Sequence, residues 1–89
     1  MITVEKIRIY QRFNGDADGW ARIGTKEEKL VMNSNDWFLI EGFIQDLHLV
    51  KKGLTSDTFI ISLNERLKEE CDSEETIQAI KDISIVGIH

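Results

Sequence analysis

From Lys6 to Phe13 the chain alternates apolar and polar residues. Ile7, Ile9 and Phe13 fall on one side of an extended segment, and Lys6, Arg8, Tyr10 and Arg12 on the other. This is the pattern of a half-buried β-strand. A second alternation sets Ala21 and Ile23 against Trp20 and Arg22 and stops at Gly24, which predicts a short second strand. Between them lies Asn14-Gly15-Asp16-Ala17-Asp18-Gly19, a run of the residues that tight turns use for positive φ and for side-chain hydrogen bonds to the backbone. The two strands are therefore expected to pair as an antiparallel hairpin. With Phe13 opposite Gly19 or Ala21, one face carries Ile7, Ile9, Phe13, Ala21 and Ile23, and the other gathers Lys6, Arg8, Tyr10, Arg12, Trp20 and Arg22.

Beyond Gly24 the spacing becomes helical. Thr25 and Glu28 have capping-box spacing, so Lys26 to Met32 reads as a short helix, with extension of the sheet through Leu30-Val31-Met32 as the alternative. Ser34 or Asn35 can cap a long helix from about Asp36 to Lys52, closed by two lysines and by Gly53. Its main stripe is Trp37, Ile40, Phe43, Ile44, Leu47 and Val50. Phe38 and Leu49 fall on nearly the opposite side, with Gly42 between them. A helix apolar on two faces belongs at the centre of a fold, with the sheet on one side and another helix or a second subunit on the other. Thr55 or Ser56 can cap a further helix through Glu70 with the stripe Phe59, Ile60, Leu63 and Leu67, expected to pack antiparallel to its predecessor. Asp72 and Glu75 suggest another capping box, opening a helix with Ile77 and Ile80 inward. The β-branched residues Ile83, Ile85, Val86 and Ile88 suit either a third, C-terminal strand or a continued helix. The order of elements predicts an α+β fold: an N-terminal antiparallel β-hairpin packed against two or three helices in one domain spanning residues 1–89.

Composition narrows what such a domain does. Apolar residues make up 42% and charged residues 30% of the 89, the mix of an ordered core and not of a disordered acidic chain. A chain this short has room for one core and little for an enclosed active site besides. No apolar run spans a bilayer, no basic segment followed by a long apolar one opens the chain, and Cys71 is the only cysteine. A cytosolic protein without disulfides is expected. The net charge of −5 disfavours general binding to nucleic-acid phosphates, and the acidic excess is concentrated in the last third.

Each candidate for chemistry has an ordinary structural reading beside it. Asn14, Asp16, Asp18 and Gly19 match the first half of a calcium loop, but the position of the bidentate glutamate is held by Thr25 and strands are expected on either side, so a turn is the better reading. The face bearing Tyr10, Arg12, Trp20 and Arg22 combines the residue types enriched at binding hot spots, and it reads alternatively as a solvated sheet face. The same residues could hold an anion or a nucleic-acid strand. His48 has no second histidine at ligand spacing, and Cys71 lies among acidic neighbours that oppose a thiolate. Ser56, Asp57 and His48 supply the atoms of a nucleophile set without a strained turn or an oxyanion hole. Glu65, Glu69, Glu70, Asp72, Glu74 and Glu75 form an acidic surface that serves solubility or a basic partner.

The expected function is a non-catalytic protein-interaction module without a cofactor or metal. Its partner, an unidentified protein or a second copy of the chain, would be met through Tyr10, Arg12, Trp20, Arg22, Phe38 and Leu49. An acid-rich inhibitor of a basic enzyme such as a nuclease, and an anion- or nucleic-acid-binding hairpin, are the alternatives.

Overall fold

The computed structural model describes residues 1–13 and 16–86 and consists of six helices. They are α1 (Val4–Arg12), α2 (Ala17–Ile23), α3 (Lys26–Val31), α4 (Ser34–Lys51), α5 (Asp57–Glu70) and α6 (Glu74–Val86). No strand occurs among the described residues, so the α+β expectation and its hairpin are corrected to an all-helical fold.

The correction begins at Thr3. Its side chain accepts a hydrogen bond from the Lys6 amide at 3.2 Å and starts α1 where the alternation predicts a strand. Ile7, Ile9 and Phe13 fit a period of two, yet Ile7, Tyr10 and Phe13 fit the helical spacing equally well, and all four are buried. Packing decides between the two patterns. A lone two-stranded ribbon would leave backbone donors and acceptors on both edges unpaired, whereas a helix satisfies most of its own. Asp16 then caps α2, its carboxylate accepting from the Gly19 amide at 3.0 Å. Glycine and aspartate here open a helix and do not turn a hairpin; Asn14 and Gly15 lie outside the described residues.

The caps of the later helices follow the sequence more closely. Thr25 and Glu28 form a complete capping box on α3, with Glu28 accepting from the Thr25 amide at 2.8 Å and Thr25 from the Glu28 amide at 3.2 Å. Asn33, one residue before the expected position, caps α4 through the Asp36 amide at 2.9 Å. At the far end Gly53 adopts φ 70°, donates to the Val50 carbonyl, and is followed by Leu54 donating to the Leu49 carbonyl. These two bonds are a Schellman motif, and its left-handed residue is the reason for glycine at this position. Ser56 caps α5. Ser73, and not Asp72, caps α6, accepting from the Thr76 amide, while the fully buried Thr76 hydroxyl donates to Asp72.

The core centres on α4. Trp37, Ile40, Phe43 and Ile44 are buried against α1 and α6, with Leu63 and Leu67 of α5 and Ile77, Ile80 and Ile83 of α6 completing it. Ion pairs among the described residues tie elements to one another, among them Lys6 to Asp36 at 2.8 Å, Arg12 to Glu28 at 2.6 Å, and Arg66 to Asp46 at 3.6 Å. The first is largely shielded from water and pins the start of α1 to the start of α4. The fully buried Ile2 brackets Cys71, its amide donating to the Glu70 carbonyl at 2.6 Å and its carbonyl accepting from the Asp72 amide at 3.0 Å. The segment considered for a third strand is helical through Val86; Ile88 lies outside the described residues.

Candidate functional site

Tyr10, Arg12, Trp20 and Arg22 share a face in a hairpin, and the helical geometry separates them. Tyr10 and Trp20 turn inward and flank Trp37, with ring centroids 4.7 Å and 5.5 Å from it. Arg12 reaches across to Glu28, and Arg22 is exposed on α2. The hairpin face, and with it the anion- or nucleic-acid-binding version, does not exist in this fold. The signal for the aromatic cluster lies in the spacing of Ile7, Tyr10 and Phe13, where the competing alternation masks it.

Phe38 and Leu49 are placed as α4's second stripe requires. Phe38 is 61% and Leu49 40% exposed, on the side of the helix away from Trp37, Ile40, Phe43 and Ile44. Between them Gly42 presents open space: a Cβ added there would meet nothing within 4 Å. Gln45, also exposed, completes the row. Leu54, 69% exposed, is held beside the end of this row by the hydrogen bond its amide donates to the Leu49 carbonyl. Sequence reasoning did not single out Leu54, although a leucine directly after a helix-ending glycine is where a Schellman motif places its apolar contact.

At the other end of the same row is a cleft of about 190 Å³ between α2 and the first turn of α4. Trp20, Trp37, Phe38, Ala17 and Ala21 supply its apolar lining, and Asp18 and Ser34 its polar groups. The indole nitrogens of Trp20 and Trp37 are shut off from solvent and find no hydrogen-bond partner among the described residues. They are therefore not donors offered to a ligand in the cleft, whose lining is mostly apolar.

The titratable groups show little sign of catalytic tuning. The Cys71 thiol is pushed up to about 11 by burial and by the charges of Asp72 and Glu70, which leaves it protonated and a poor nucleophile near neutral pH. Burial and the neighbouring Glu41 raise the Tyr10 hydroxyl. Glu28 is lowered, chiefly by the hydrogen bond from the Thr25 backbone, with the Thr25 hydroxyl and Arg12 adding to it. His48 is half-buried and its Nδ1 has no hydrogen-bond partner among the described residues. Among the described residues no three His, Cys, Asp or Glu side chains are grouped to hold a metal ion. Asp16 already spends a carboxylate oxygen on its own helix. Among the acidic residues, Glu65, Glu69, Asp72, Glu74 and Glu75 are exposed around the junction of α5 and α6, and Glu70 is half-buried there. No helix among the described residues is long and apolar enough to cross a membrane.

Comparison with known protein families, with curated proteins and with solved structures finds no match.

Proposed function

We propose that the protein is a non-catalytic protein-interaction module that docks through the outer face of α4. The observation that carries this reading is the row Phe38, Gly42, Gln45 and Leu49, in which two large apolar side chains stand in water on either side of an open glycine. Exposing them has an unfavourable hydration free energy that folding does not recover, and covering them does. Gly42 adds shape to the surface, because a missing side chain lets a partner helix approach α4 closely. A cytosolic setting fits the lone buried cysteine.

The test is capture of interacting proteins from the native lysate by wild-type protein, by Phe38→Asp and by Ile61→Asp. Ile61 is 59% exposed on α5 and serves as a control for non-specific apolar contact. A partner retained by wild type and by the Ile61 variant but lost with Phe38→Asp supports the reading. Equal retention by all three sinks it. An acid-rich inhibitor of a basic enzyme remains the second reading, supported by the exposed carboxylates around the α5–α6 junction. Its partner would be insensitive to Phe38→Asp and lost at high salt.

A further inference from the structure

We infer that the cleft between α2 and α4 receives an arginine side chain of the protein that docks on α4, with its stem against Ala17, Ala21 and Phe38 and its guanidinium at Asp18. This inference rests on the interaction reading above and names the chemistry its partner brings. Each wall of the cleft carries residues one helical turn apart. Ala17 and Ala21 are so placed on α2, with Asp18 beside them, and Ser34 and Phe38 on α4. Trp20 and the fully buried Trp37, stacked on each other, back the cleft. Phe38 is the lining aromatic that stands in water.

Size and polarity select the occupant. Pockets for small organic ligands run from roughly 300 to 1,000 Å³, and at about 190 Å³ this cleft is nearer the size of a single side chain. Its lining is apolar except for Asp18 and Ser34, and no lysine or arginine contributes to it. Because the indole N–H groups are sealed, what the lining side chains offer a polar head is mainly acceptors, the Asp18 carboxylate and the Ser34 hydroxyl. An apolar stem ending in donors fits that arrangement. Arginine is such a side chain, with a planar, donor-only head matched to a carboxylate and able to lie on an aromatic ring.

Charge points the same way. α4 starts at the cleft and its first amides would suit an anion, but Asp18 and the capping Asp16 set their carboxylates against a helix end equivalent to about half a positive charge. Asp18 is exposed and makes no ion pair among the described residues, not even with Arg22 one turn along α2. Its oxygens are therefore available to an incoming guanidinium. The net charge of −5 draws a basic partner from a distance, and Asp18 gives that attraction a fixed point. Phe38 belongs both to the cleft and to the exposed row of α4, so the two are one continuous surface. An arginine seated here anchors one end of a partner whose apolar residues cover Phe38 and Leu49.

The experiment is an NMR titration of the full chain with N-acetylarginine amide, and with the citrulline analogue as its uncharged isostere. Concentrations reach about 50 mM, because so few contacting atoms support only millimolar affinity. The expected result is saturable shifts at the Ala17 and Ala21 methyls and the Ser34 amide, with the citrulline probe binding at least about 5-fold more weakly. Asp18→Asn should bring the arginine probe down to the citrulline level. Ala21→Leu, which fills the cleft from α2 and leaves the carboxylate in place, should abolish the shifts at Ala17 and Ser34. Circular dichroism and thermal melting establish that both variants are folded. Absent shifts in wild type, equal binding of the two probes, or indifference to Asp18→Asn overturns the proposal. Capture from the native lysate separates it from the reading on which it rests. A partner lost with Phe38→Asp yet fully retained by Asp18→Asn and by Ala21→Leu overturns the cleft while the α4 face stands. Binding of the arginine probe with no Phe38-dependent partner overturns both, since the arginine then has no protein source.

Discussion

Trp20 stacks on Trp37 with ring centroids 5.5 Å apart and planes within 21° of parallel. This contact holds the short α2 against the central helix. An isolated seven-residue helix is far too short to persist in water, so α2 exists because Trp20 is buried.

Trp20→Ala is accordingly expected to cost about 3–5 kcal/mol, a large part of the stability of a domain this size. Denaturant unfolding monitored by circular dichroism measures it. In the wild type, quenching of tryptophan emission by acrylamide should be weak, because both indoles are buried. Strong quenching would contradict the stack.

Two glycines should respond in opposite directions. A Cβ on Gly24 would lie 2.5 Å from the Trp20 carbonyl oxygen, a backbone atom that cannot swing aside. Gly24→Ala is expected to destabilise by about 1–3 kcal/mol. At Gly42 a Cβ meets nothing, and alanine has the better helix propensity, so Gly42→Ala should stabilise the monomer by up to about 1 kcal/mol. Thermal melts at low protein concentration separate the two.

Alkaline pH should unfold the protein in a particular window. Cys71 has its folded pKa raised from 9.0 to about 11, so the folded state favours the thiol over the thiolate. The stability this represents is fully present below pH 9 and is lost as pH rises through about 11. Tyr10, raised above 10.0, extends the loss upward. Urea midpoints between pH 8 and 11 should fall, and Cys71→Ala should flatten the lower part of that fall. A wild-type midpoint constant over this range would contradict the buried thiol.

On the acid side Glu28 acts with the opposite sign. Its folded pKa is lowered below 4.5, so its contribution is present above that value and is lost as pH falls through the folded pKa. Glu28→Gln keeps an acceptor for the Thr25 amide but removes the charge facing Arg12. The variant should lose less stability than wild type between pH 5 and 3. Paired thermal melts across that range measure the difference.

Much of the molecule beyond Gly24 could be read from residue order. Thr25 with Glu28, Ser56, and Gly53 after two lysines each carry a local hydrogen-bonding reason that tertiary contacts do not override. The Phe38 and Leu49 stripe was legible for the same reason, since a helix of this length fixes which residues share a side. Residues 1–24 were not, because Ile7, Ile9, Tyr10 and Phe13 satisfy two periodicities at once. Asp16 and Gly19 serve a helix start as readily as a turn. What chose between them was Trp37, distant in sequence, against which a helical Tyr10 and Trp20 both pack.

The bracket that Ile2 forms around Cys71 bears on how the chain reaches this structure. The hydrogen bonds inside each helix join near neighbours, but this contact closes a loop over most of the chain. Its closure entropy is lost before the contact returns anything, so the amino-terminal segment is expected to dock late, after the helix pair α5–α6 has presented the turn that receives it. Changes at Ile2 should therefore speed unfolding while leaving the refolding rate nearly unchanged. The first buried residue of the chain acts as its latch.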